Sequence, residues 1–171
     1  MSQNPSTGLP VEDIDMIATW LVADRTRWLA GIVAGLFSGV LALGVAGVLS
    51  YINELEFLYP LKLMATPILG LEATDYSAGF FTILTGFIFF ESMCALWGFV
   101  YAHFVKTNSL GSLLAMGAVW GFFSWVFEWN LFLHSVKPIL YAGVPASAAL
   151  LVCMVYGVSM SSVAFFDRSL R

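Results

Sequence analysis

Two carboxylates interrupt otherwise apolar runs of this chain, Glu91 in FIFFESMC and Glu128 in SWVFEWN. An ionised carboxylate surrounded by lipid is expensive, so such a residue is by default a candidate for a proton relay or cation pathway. Asn130 lies within one helical turn of Glu128 and would add a neutral ligand oxygen. If Glu91 and Glu128 face inward, they could share one proton or bind a cation. The plainer alternative is that each is protonated and hydrogen-bonded, or meets water near the outer surface. Trp125 and Trp129 flank Glu128 in the manner of an interfacial aromatic belt.

Other chemistry finds less support. His103 and His134 fall at opposite ends of adjacent apolar runs, ~35 Å apart at 1.5 Å per residue, which excludes a bis-histidine haem within one chain. Each reads as an amphipathic tip at a membrane edge. Cys94 and Cys153 sit singly in apolar runs with no CxxC pair, and read as small buried hydrophobes. There is no HExxH spacing and no phosphate-cradling glycine loop with its lysine. No catalytic residue, metal or cofactor is therefore expected.

The elements that must position the two carboxylates are membrane spans. Of 171 residues, 60% are hydrophobic and 11% charged, against about 25% charged in soluble domains. Mean hydropathy is +0.87. So few charges cannot cover the surface of a water-soluble fold of this size. The net charge of −4 and the scattered basic residues argue against nucleic acid as a partner. Apolar runs at about 28–50, 76–104, 110–133 and 145–166 are each long enough to cross a hydrocarbon core of ~30 Å. The second is longer than needed, which suggests tilt or extension past the bilayer. The expected fold is an all-α integral membrane protein, a four-transmembrane-helix bundle. The membrane domain is 28–166, followed by a short tail, 167–171.

The polar segment 1–27 contains Val11, Ile14, Ile17, Ala18 and Leu21 at helical spacing, and predicts an amphipathic surface helix. Its acids favour docking on protein over anionic lipid. The connection 51–75, with Pro60 and Pro67, is too short and broken to span and predicts an interfacial half-helix or a re-entrant segment. Residues 106–109 form a tight turn, which would make spans two and three an antiparallel hairpin with Glu91 and Glu128 at depths that differ by ~6 Å. Arg25, Arg27, Lys106, Arg168 and Arg171 gather on one side, against Lys62 and Lys137 on the other. The excess of basic residues places both termini in the cytoplasm of a bacterial inner (plasma) membrane.

Span one carries the strongest packing pattern. Ala30, Ala34, Ser38, Ala42, Ala46 and Ser50 recur at four-residue spacing, beside Gly31, Gly35, Gly39 and Gly47. Small residues on one helix face let a second backbone approach closely. The partner could be internal or a second copy. Span three offers Gly117 and Gly121, and span four offers Cys153, Gly157 and Ser161.

The segments AGIVAGLFSGV, PLKLMATPILG, WGFVYAHF and MVYGVSMS, in that order, resemble the small YagU-like four-span bacterial inner-membrane proteins. The resemblance implies four spans over residues 28–166 and transfers no activity and no site residues. The extended second span with Glu91 and the acidic N-terminal helix depart from it. The leading functional expectation is a non-catalytic accessory or scaffolding subunit in the lipid bilayer, associated with other membrane subunits or with copies of itself. The alternatives are a small transporter or proton/cation pathway using Glu91 and Glu128, and a quinone-linked redox subunit served by the aromatic faces.

Overall fold

The computed structural model describes residues 24–128 and 144–171. The expected N-terminal amphipathic helix, Asn130, His134 and the connection before Pro145 lie wholly or mostly outside those residues. The described elements are helical throughout, with no strand among them. In order they are α1 (Arg25–Ile52), α2 (Tyr59–Leu69), a 3-10 turn (Leu71–Thr74), α3 (Phe80–Phe104), α4 (Leu110–Ser124), α5 (Ala146–Ser159), a second 3-10 turn (Met160–Ser162) and α6 (Val163–Leu170). Among the described residues, four helical stretches are long and apolar enough to span a membrane: α1, α3, α4 continued to Glu128, and α5 continued through α6. The chain is a multi-pass, all-α membrane protein.

Local chemistry sets the boundaries. Asp24 caps α1 by accepting from the Arg27 backbone N–H at 3.1 Å, so the helix starts three residues before the apolar run at Trp28. At the other end Asn53 caps it, its side-chain amide donating to the Leu49 carbonyl at 2.7 Å. Pro60 opens α2, where its missing N–H costs nothing. Gly70 ends α2 with φ 82°, a left-handed backbone that favours glycine.

The second span is shorter than its apolar composition suggests. It begins at Phe80 rather than near Tyr76. The reason is Lys62, whose side chain is almost fully buried. Its ammonium donates to the Asp75 and Tyr76 carbonyls at 3.1 and 3.2 Å and pairs with Glu56 at 2.7 Å. Those two carbonyls are thereby held out of the helix. The connection 51–75 is thus a folded element, α2 plus a 3-10 turn, packed on α3 where Gly86 meets the Leu61 carbonyl.

α1 is the central helix. It packs closely on α3 along one side and on α5 and α6 along the other. The α1–α3 seam is the glycine column: a side chain on Gly31 or Gly35 would strike the backbone of Gly98 or Cys94, and one on Gly98 would strike Gly31 and Gly35. Ala30, Ala34, Ser38 and Ala42 are buried in the core that also holds Tyr156, Met160 and Val163. Gly47 is buried against Phe57, while Ala46 is only half-buried. The ladder of span one is therefore filled within the chain. A second small-residue seam joins α4 to α5, where Gly117 and Gly121 face Gly157 and Cys153.

Spans two and three are joined by a short turn, but their backbones do not form a close seam; α4 pairs with α5 instead. What fills the space between α3 and α4 is aromatic. Trp97 packs edge-on against Trp120 at 5.7 Å and Phe127 at 5.5 Å, and Tyr101 packs against Trp120 at 5.6 Å. Rings of this size cannot interleave with backbones as close as glycine allows, so they hold the two helices apart.

At the end of the bundle that carries the α3–α4 turn, Arg27 is buried. It donates to the carbonyls of Val105 and Thr107 at 2.8 and 2.9 Å and to Asn108 at 2.9 Å, and it pairs with buried Asp167 at 3.4 Å. Arg171 bridges Asp24 and Asp167. One arginine thus ties the start of α1, the turn and α6 together. The Arg27 backbone N–H, and after it Arg171, hold the Asp24 carboxyl below its ordinary range.

Candidate intramembrane carboxylate site

The buried face of α3 is a stripe of Glu91, Cys94, Gly98, Tyr101 and Ala102. The spacing of three and four residues keeps these on one side of a helix. Because Gly98 must face α1 for the seam to close, Glu91, two turns earlier, faces α1 as well. There it meets Gly39. A side chain on Gly39 would lie 2.9 Å from each carboxylate oxygen of Glu91 and 3.0 Å from Cys94 Sγ. The glycine supplies the volume that the carboxylate occupies.

Glu91 is 7% exposed, and neither of its oxygens has a hydrogen-bond partner. Buried polar groups are almost always satisfied. An ionised carboxylate in such surroundings needs a counter-charge, either a proton on itself or a cation beside it. Among the described residues, no neighbouring cation compensates it. Tyr156 of α5 spends its hydroxyl on the Cys94 carbonyl at 2.8 Å, one turn from Glu91. Ser38, next to Gly39, is fully buried with its hydroxyl unpaired.

Glu128 stands at the end of span three on a π-helical turn over residues 125–128. Such turns widen a helix locally and recur at functional sites. Its side chain is half-buried. The Trp97 indole N–H faces the Glu128 carboxylate without closing a hydrogen bond of good geometry. Glu91, Glu128, Cys94, Cys153 and Tyr156 form one neighbourhood, with both carboxylates within electrostatic range of Cys94 and Tyr156. The carboxylates are not hydrogen-bonded to each other. The structure thus brings Glu91 and Glu128 to one region of the bundle without joining them, and Asn130 lies outside the described residues. No group of three metal-ligating side chains occurs among the described residues.

Sequence reasoning missed Tyr156 and Trp97 as parts of this region. It also treated Arg27 and Lys62 only as topology markers, although both are buried. His103 is half-buried, and its Nδ1 accepts from the Trp28 indole at 3.2 Å. That is a structural role at the bundle's end. No family model, no curated protein and no solved structure matches this chain.

Proposed function

We propose that this chain is a small multi-pass protein of a bacterial inner membrane, with cytoplasmic termini, that carries a proton- or cation-binding centre at Glu91 with Glu128 as its neighbour. The observation that carries the reading is the Glu91 carboxyl, buried against Gly39 with both oxygens unpartnered. A group retained at that cost inside a membrane core marks a path for protons or ions. The orientation rests on the excess of Lys and Arg at the end that carries Arg25, Arg27, Lys106, Arg168 and Arg171. An accessory or scaffolding role drew its support from the lack of a catalytic set, the span-one ladder and the aromatic faces. With most of that ladder packed within the chain, against α3, α5 and α6, association with copies or other subunits would use another face, such as the aromatic ones.

The test is proton flux in sealed vesicles of the reconstituted protein, read with an internal pH dye under an imposed gradient. Wild type should conduct, Glu91→Gln should not, and Glu128→Gln should conduct less. Equal flux through wild type and Glu91→Gln removes the proposal. A second readout is an apolar carbodiimide, which modifies protonated carboxyls in apolar surroundings. It should add one label to wild type that Glu91→Gln lacks.

A further inference from the structure

A second site lies near the Arg27 cluster, at the end of the bundle that carries the α3–α4 turn. Where α5 passes into α6 through the 3-10 turn Met160–Ser162, the span opens a cleft of about 470 Å³ toward the start of α4. Its polar wall is Asn108, Ser159, Ser161, Ser162 and Arg168. Its remaining wall is apolar and includes Leu110 and Phe165, which are 65% and 67% exposed.

Three features of that wall are independent of one another. Arg168 has no ion-pair partner among the described residues, whereas Arg27 and Arg171 at the same end are both engaged. The Ser162 hydroxyl is buried and unpaired. Asn108 spends its side-chain oxygen on Arg27, which leaves its NH2 group to donate. The rim also carries the first turn of α4, whose cap residue Ser109 makes no side-chain hydrogen bond to it, and its free N–H groups add partial positive charge. A cation, hydroxyls and amide donors around one opening suit a phosphate group. Exposed Leu110 and Phe165 beside it suit hydrocarbon, which a free anion would not need.

We propose that this cleft binds the phosphate headgroup of an anionic phospholipid, with Arg168 and Ser162 on the phosphate and an acyl chain along Leu110 and Phe165. The lipid lies in the leaflet that faces the Arg27 end. Basic residues at that level are the usual recognition elements for anionic lipid.

Native mass spectrometry of the detergent-purified full chain tests this, with phosphatidylglycerol, phosphatidylcholine and inorganic phosphate as probes. Wild type should retain phosphatidylglycerol about fivefold over phosphatidylcholine, the effect of one well-placed basic residue. Arg168→Gln should abolish that preference and Ser162→Ala should reduce it. Arg25→Gln removes an equal charge at the same end but outside the cleft, and should keep the preference. Equal retention of the two lipids by wild type overturns the proposal. So does equal loss in Arg25→Gln, which would mean diffuse attraction. Displacement of the lipid by inorganic phosphate would make the cleft a free-phosphate site and overturn the lipid assignment. Should Arg168→Gln fail to fold, Ser162→Ala carries the test alone, and an unchanged preference there refutes it.

Discussion

Gly98→Ala is the sharpest test of the packing that holds this fold. A methyl there would sit 2.8 Å from the Gly35 Cα and closer still to the Gly31 carbonyl oxygen. Ordinary contact begins at 3.4 Å, so α1 and α3 must separate by roughly 0.6 Å or more, and both obstacles are backbone. Overpacking of this kind costs about 1–3 kcal/mol. Intrinsic helix propensity works the other way, since Ala is preferred to Gly by about 1 kcal/mol in a helix interior. The expected net loss is therefore about 0–2 kcal/mol, and about 1–3 kcal/mol relative to a Gly→Ala change at an unobstructed helix position, read from equilibrium unfolding in mixed detergent and SDS micelles. The control is Gly44→Ala on the open side of α1, where nothing lies within 4 Å, and which should be neutral or slightly stabilising. Gly39→Ala is intermediate: it meets the far end of the Glu91 side chain rather than backbone, so it should disturb Glu91 more than stability. If Gly98→Ala and Gly44→Ala unfold at the same SDS fraction, the close seam does not stabilise the bundle and this account of α1 fails.

Two further outcomes follow from the Arg27 end. Arg27→Met leaves Asp167 buried beside only the half-exposed Arg171 and removes the donors to Val105, Thr107 and Asn108; it should cost about 3 kcal/mol or more by the same unfolding assay, and clearly more than Arg25→Met. Asp24→Asn keeps a capping oxygen and tests the charge that Asp24 offers the helix start and Arg171: the folded carboxyl titrates below its ordinary value of 3.8, so its contribution is complete above that value and disappears as pH falls through the folded value. The variant should therefore be less stable than wild type near neutral pH, and the difference should shrink as pH falls below 3.8.

The spans were legible because lipid demands long apolar runs and forbids almost everything else. The small-residue columns at Gly31, Gly35 and Gly39 and at Gly117 and Gly121 were legible for the same reason. Their partner was not, since composition does not say whether a second backbone belongs to the same chain. The burial of Lys62 and Arg27 was illegible for a different reason. A basic residue near a span end counts toward topology, and nothing local distinguishes an exposed one from one buried among carbonyls 13 to 81 positions away. The facing of Glu91 was within reach: Glu91, Cys94, Gly98 and Ala102 share one helix face, and a glycine in that stripe is the mark of the buried side. Glu128 had no such reference, because the π turn beneath it shifts the register.

Structural and functional uses of Glu91 differ in what its removal does to stability. If Glu91 is there to hold the bundle together, removing its polar head should weaken the fold. The geometry argues the opposite. Its oxygens bond to nothing, so the fold gains no hydrogen bond from them and bears the desolvation of a polar group, about 1–3 kcal/mol in mutational series. Met has nearly the same volume and no such cost, and the space over Gly39 already accommodates an unbranched side chain. Glu91→Met should therefore raise stability by about 1 kcal/mol or more in the unfolding assay while abolishing proton flux in vesicles. Gains in stability paired with loss of activity are the signature of a residue kept for function against the interest of the fold. A Glu91→Met protein that is less stable than wild type, with flux intact, would show that the carboxyl is a structural element and that the charge pathway runs elsewhere.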